Sequence, residues 1–346
     1  MPVSRFVTVT AICLSTVCLA ATVPSARTDV SGPSSVDSAP IAFASQRDGN
    51  WEIYVMDGVR QVQRLTRRDV EDRFPVWSPD GAQIAFGSQV GADWGWELWV
   101  MDAAGTRQRR LFSRIVAKSA RGWCRDNKRI AFAAESNGNV DIYSVDVATG
   151  AVIRLSSSPG EDREPSWSPD CQHLAFSSMR DGNAEIYVVR ADGREAHRLT
   201  NHAASDDSPV WSPDGSAIAF VSDRGDAKDL YMARPDGQGV QRLTTGVGVT
   251  KDASRWSPDG SRIAIQIARG KNYDIGIVRL SDRSLIDFAR SDAYDGMSAW
   301  SPDATALAFV SGRDGSDALY RADADGRDVQ RLTDSPALNP AWARGR

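Results

Sequence analysis

The chain has 346 residues and a net charge of −4, with both signs spread along it. No basic block points to nucleic acid, and no acidic tail to a solvating arm. The length admits two ordinary domains or one large all-β domain, and 28 glycines and 16 prolines set between short apolar runs favour the second.

The N-terminus reads as a targeting segment. Arg5 supplies a positive n-region, residues 6–21 an apolar core, and Ala20, Ala21, Ser25 and Ala26 the small residues of a cleavage site. This is the pattern of a secretory signal peptide over residues 1–26, with a core too short for a comfortable membrane span. Ser15-Thr16-Val17 before Cys18 is a poor lipobox. Residues 27–39 are rich in Ser, Pro and Asp and read as a disordered linker. The mature chain is therefore expected in the periplasm or outside the cell, with no membrane span. Of four cysteines, Cys124 and Cys171 survive cleavage. An oxidising compartment would let them pair. Their different places in adjacent repeats favour two unpaired small residues, and the question stays open at this level.

From Ile41 onward one phrase returns about every 44 residues: Trp-Ser-Pro-Asp-Gly followed by a short apolar triplet. Its tryptophans are Trp77, Trp123, Trp167, Trp211, Trp256, Trp300 and Trp342. Each unit carries four strand candidates, seen as Pro75-Val76-Trp77-Ser78, Ile84-Ala85-Phe86, Ile186-Tyr187-Val188 and Arg198-Leu199-Thr200. The runs are β-branched or aromatic and are bounded by turn residues. Ser-Pro-Asp-Gly suits a type I turn, because Pro presets φ at its second position and Ser can bond the backbone from its first. Four antiparallel strands repeated radially make a propeller blade. The second strand begins seven times, at Ile41, Ile84, Ile130, Leu174, Ile218, Ile263 and Leu307. The first copy lacks its Trp strand, and Trp342 has no strands after it. The prediction is an all-β, seven-bladed β-propeller over residues 40–346, closed by pairing of the C-terminal strand with the first blade.

These phrases resemble the TolB-type, or WD-like, β-propeller repeat family over about 300 residues. The Gly-His and Trp-Asp pairs of WD-repeat proteins are absent. The resemblance implies a role in the Tol–Pal envelope system, where the propeller binds a peptidoglycan-associated lipoprotein. It also implies an α/β domain before six blades, whereas here the linker leads directly into the first of seven repeats. A propeller of this kind would keep docking and lose the inner-membrane connection.

Function is sought where the repeats differ, on the face formed by the strand two–three hairpins and the crossovers between blades. Five residues before the repeat Trp an acid recurs at Asp72, Asp162, Asp206 and Asp295, replaced by Lys118 and Lys251 in two units. Such a ring at the channel mouth would attract a basic peptide or offer oxygen ligands to Ca²⁺. Equally, each Asp would cap a turn. The two lysines argue against a uniform metal cage, so no cofactor is expected. A second acid precedes the third strand at Glu52, Glu97, Asp141, Glu185, Asp229 and Asp274, and reads as scaffold bonding between blades. The second unit has an extended hairpin with Trp94 and Trp96. Trp96 and Trp51 read as interblade packing, and Trp94 as an exposed anchor for a partner.

Catalytic signals are few. His173, His197 and His202 form no metal-binding pair, and no Gly-x-Ser-x-Gly elbow is present. The expected function is an exported, non-catalytic, monomeric binding module that docks an envelope protein or peptide through Asp72, Asp162, Asp206, Asp295 and Trp94. The alternative is a carbohydrate-active propeller, a polysaccharide lyase or hydrolase using carboxylates across the channel.

Overall fold

The computed structural model describes residues 39–91, 95–116, 122–250 and 254–344. The chain divides into two units, Met1–Gly32 and Pro33–Arg346. The first, which holds the expected signal and part of the expected linker, lies outside the described residues, as do Trp94, Lys118 and Lys251. Among the described residues there is no helix, and so none long and apolar enough to cross a membrane.

Among the described residues twenty-eight strands form six antiparallel sheets. The chain opens with β1 (Ile41–Ser45), β2 (Glu52–Met56) and β3 (Val62–Arg64). An eight-stranded sheet follows. It contains β4 (Asp72–Trp77), β5 (Gln83–Val90), β6 (Gly95–Asp102) and β7 (Arg109–Ile115). It continues with β8 (Gly122–Trp123), β9 (Arg129–Ser136), β10 (Asn139–Asp146) and β11 (Val152–Arg154).

The next sheet holds β12 (Asp162–Trp167), β13 (His173–Ser178), β14 (Glu185–Arg190) and β15 (His197–Arg198). After it come β16 (Asp206–Trp211), β17 (Ile218–Ser222), β18 (Asp229–Ala233) and β19 (Gln241–Arg242). Then come β20 (Arg255–Trp256), β21 (Arg262–Arg269), β22 (Asn272–Arg279) and β23 (Leu285–Phe288). The last full set is β24 (Asp295–Trp300), β25 (Ala306–Ser311), β26 (Ala318–Asp323) and β27 (Gln330–Arg331). Finally β28 (Ala337–Trp342) returns to pair with β1, placing Ile41 opposite Trp342.

The sequence suggests seven separate sheets, but hydrogen bonding delimits six. β7 is longer than the other fourth strands and reaches β9, with Ile115 opposite Ala134. That single bridge merges two four-stranded sets.

The middle strands carry the core. Phe43, Phe86, Phe132, Phe176, Phe220 and Phe309 occupy one position of the second strand and are fully buried. In five of these cases a Tyr of the third strand lies directly opposite, as in Phe176 and Tyr187. Such cross-strand aromatic pairs stabilise a sheet by about 0.2–1 kcal/mol each.

The repeat phrase binds each unit to its neighbour. The indole N–H of Trp123 donates to the Val76 carbonyl at 3.2 Å, and that of Trp256 to Val210 at 3.1 Å. Trp77 donates in the same way to Ala341 of β28 at 3.1 Å. In the turn that follows, Ser78 Oγ donates to Asp80 at 2.6 Å and accepts from the Gln83 amide at 2.9 Å. Ser212 and Asp214 repeat this arrangement. The phrase thus sets both the turn and the sheet-to-sheet contact.

The cysteines sit in two such turns. Cys124 stands in the Ser position after Trp123, and Cys171 in the Gly position of Ser168-Pro169-Asp170. Their Cα atoms are 5.8 Å apart and the sulfurs are bonded. The reading of two unpaired residues is therefore corrected. Unlike places in the repeat become neighbours because adjacent sheets bring their turns together.

Candidate functional site

Antiparallel order puts the strand two–three hairpins and the crossovers at one end of every sheet, here called the loop end. The four recurrent aspartates open β4, β12, β16 and β24 at that end, and all four are fully buried. Burying a carboxylate requires compensation. Three of them receive it from an arginine eighteen residues later, in the hairpin of the same sheet. Arg180 lies 3.3 Å from Asp162, Arg224 2.5 Å from Asp206, and Arg313 3.1 Å from Asp295. Ser158 and Ser291 add hydroxyl donors to Asp162 and Asp295.

Each guanidinium also covers the core aromatic pair. Arg180 stands 4.2 Å from the Tyr187 ring centroid, Arg224 5.4 Å from Tyr231, and Arg313 5.0 Å from Tyr320. The cation–π contact and the ion pair together hold each arginine in place.

Two neighbouring sheets break the pattern in opposite ways. Eighteen residues after Asp72 stands Val90, so the hairpin cation is missing. Arg68, from the preceding crossover, comes only to 3.7 Å, and neither Asp72 oxygen has a donor in hydrogen-bonding geometry. Burial pushes the Asp72 carboxyl up to about 6, with the Ser88 hydroxyl and the Arg68 charge opposing. In the first sheet the arginine is present and the acid is missing. Arg47 stacks 4.8 Å over Tyr54 and 5.3 Å over Phe43, but β28 begins with Ala337 where β4, β12, β16 and β24 begin with Asp. Among the described residues Arg47 has no carboxylate partner; its Nε donates to Ser45 Oγ at 3.3 Å.

A second recurrent feature was not anticipated. The third residue of five inner strands, β4, β12, β16, β24 and β28, has a positive φ: Phe74, Glu164, Ser208, Met297 and Asn339, at 51–59°. Each marks a register shift against the second strand. Left-handed backbone at a non-glycine residue is strained and concentrates at functional sites. The sequence signal was the proline that follows four of them, since proline inside a strand marks a bulge. Glu164 accepts from the Ser208 amide at 2.7 Å and from its hydroxyl at 3.0 Å, linking two bulges across neighbouring sheets.

The second set of acids works within a sheet rather than between sheets. Glu185 accepts from Arg198 at 2.7 Å, Thr200 at 2.6 Å and the His202 amide at 2.8 Å. This ties the third strand to the fourth and to the crossover. The hydrogen bonds outweigh burial and hold the Glu185 carboxyl below its usual range. Trp51 and Trp96 are buried; Arg73 stacks over Trp51, and Phe74 meets Trp96 edge-on. His197 and His202 are exposed. Among the described residues the one group of His, Cys, Asp or Glu close enough to share an ion is Cys124, Asp126 and Cys171, whose sulfurs are already joined.

The TolB beta propeller domain family matches residues 92–254 and 247–344. A TolB homolog of Chlorobium luteolum is 32% identical over 139 residues, 40% of this chain and 31% of that protein. The match thus spans under a third of that relative's length. TolB from Acinetobacter baumannii superposes with a TM-score of 0.58 at 22% identity, covering 88% of this chain and 82% of that one. An oligogalacturonate lyase in complex with manganese gives 0.69 at 20% identity, covering 83% and 86%. At such identities both structures speak for the fold alone. The family match spans most of the repeats, with the tryptophans and turns that build them, and the chain belongs to the TolB beta propeller domain family.

Proposed function

We propose that the chain is an exported binding module in the cell envelope that docks a protein or peptide on the loop end of a seven-bladed ring. In this reading the eight-stranded sheet is two blades, β4–β7 and β8–β11, fused by the long β7. The β28–β1 pairing and the Trp77–Ala341 hydrogen bond support closure. The targeting signal of residues 1–26 and the family membership support an envelope location, periplasmic or secreted, with a linker over 27–39.

The observation that carries the docking reading is the paired break in the first two blades. Asp162, Asp206 and Asp295 are neutralised in place, so they position arginines rather than meet a ligand themselves. Asp72 has Arg68 no nearer than 3.7 Å, and Arg47 has no carboxylate partner among the described residues. A weakly matched acid and an arginine without its acid, on neighbouring blades, give the loop end a polar direction, and Trp94 belongs to the same second unit. The carbohydrate-active alternative gains only the fold-level likeness to the lyase.

The test is affinity capture from envelope extract with the secreted full chain and an Arg47→Glu variant, both checked by thermal melting. A partner retained by the parent and lost by an equally stable variant supports the reading. A partner held equally by both moves docking off this sector. Turnover of polyuronate by the purified chain would replace docking with the alternative.

A further inference from the structure

The opposite end of the blades carries its own break in the repeat. Two residues after the repeat Trp stands a proline in five units, from Pro79 to Pro302, but Arg125 and Arg344 in the other two. Proline suits the second position of the turn, so replacing it gives up rigidity there. Both arginines are exposed, and neither has an ion-pair partner among the described residues. Their turns lie near each other: a Cβ on Gly81 would meet the Arg344 carbonyl oxygen at 3.4 Å, and the adjacent Asp80 amide donates to Asn127, two residues after Arg125, at 2.9 Å. The surrounding protein, and then the Arg125 charge, lower the Arg344 pKa.

Arg125 lines a cavity of about 430 Å³ with Asp214, Asp259, Trp256, Met232 and Leu280. These come from the third, fifth and sixth blades. The fourth blade lies between these in sequence, yet Arg125 lines the same cavity. The volume is that of a small-molecule site. Asp214 and Asp259 are held by their turn hydroxyls and amides, which keep both carboxyls below the usual range and ionised at neutral pH. Among the described residues neither makes an ion pair, with Arg125 or any other cation. The lining therefore carries two carboxylates and one guanidinium, together with an indole and two apolar side chains.

We infer that this turn-end cavity binds a small zwitterion with an apolar side chain, a free amino acid or a dipeptide. Its carboxylate meets Arg125, with Arg344 adding charge, and its ammonium meets Asp214 and Asp259. The apolar side chain lies against Trp256, Met232 and Leu280. A bidentate guanidinium–carboxylate contact supplies direction as well as energy. This site lies at the end of the blades opposite the proposed docking surface and does not depend on it.

The experiment is calorimetric titration of the full chain with leucine and with leucyl-leucine, alongside N-acetylleucine and leucinamide, which each lack one charge. Saturable binding of either zwitterion, weakened at least about tenfold in both blocked forms, is the expected result. Arg125→Gln should bring the zwitterion down to the level of leucinamide and leave leucinamide unchanged. Arg344→Gln, a second exposed position, should give a smaller loss. Two results would overturn the inference: no saturable heat from either zwitterion up to about 10 mM, or equal binding of leucine and leucinamide.

Discussion

Arg224 grips Asp206 with two hydrogen bonds, Nη2 to Oδ2 at 2.5 Å and Nε to Oδ1 at 3.2 Å, across a hairpin eighteen residues long. Asp206 is fully buried and the arginine side chain is 17% exposed. Leaving one partner of such a pair alone is costly, whereas an apolar replacement of both is tolerated better. Asp206→Ala should lower the unfolding free energy by about 3–5 kcal/mol, and Asp206→Leu with Arg224→Met by clearly less. Urea unfolding of the single and double variants checks this. Equal losses would show that the pair is not coupled.

Asp72 should behave in the opposite way. Its folded pKa of about 6 lies above the ordinary 3.8. The folded state therefore binds its proton more tightly than the unfolded state. The stabilising contribution is complete below about 3.8 and is lost as pH rises through 6. That gap corresponds to at most about 3 kcal/mol. Asp72→Asn should be more stable than the parent at pH 7.5, and the difference should shrink as pH falls to 4. A stability difference that does not change with pH would refute the assignment.

The disulfide closes a separation of 47 residues between neighbouring turns. Reduction, or replacement of both cysteines by serine, should cost about 2–5 kcal/mol. Chemical denaturation with and without reductant measures it. The double-serine chain should be insensitive to reductant.

Gly237 and Gly182 test interblade contact against backbone strain. Both have positive φ, +77° and +96°. A Cβ on Gly237 would meet the Leu199 carbonyl oxygen at 2.6 Å, while one on Gly182 meets nothing within 4 Å. Gly182→Ala should cost about 1 kcal/mol, the penalty of left-handed backbone alone. Gly237→Ala should cost distinctly more, because a neighbouring blade must move. Equal melting temperatures for the two would remove the contact argument.

The scaffold was largely legible because its signals are local and repeated. Pro-x-Trp-Ser, the Ile-Ala-Phe runs and the Asp-Gly turns each specify a strand or a turn without reference to the rest of the chain. The fusion of two four-stranded sets through β7 was not legible, since it depends on where Ile115 meets Ala134 in space. The recurrent aspartates were found as positions, but their arginines lie eighteen residues on and were not connected to them. That spacing acquires meaning only when the hairpin folds back over the inner strand. Cys124 and Cys171 were obscured for the same reason. Trp94 lies outside the described residues, and its role rests on its place in the sequence.

The pairing of β28 with β1 has a consequence in time. Ser45 donates to the carbonyl of Pro336, 291 positions away, and the two strands run side by side. A chain made from its N-terminus presents β1 long before its partner exists. Every other four-strand set can assemble from one continuous stretch, but this one must wait for nearly the whole unit. Such distant contacts form slowly. The first sheet is then the last to mature, and its completion reports that synthesis has reached β28.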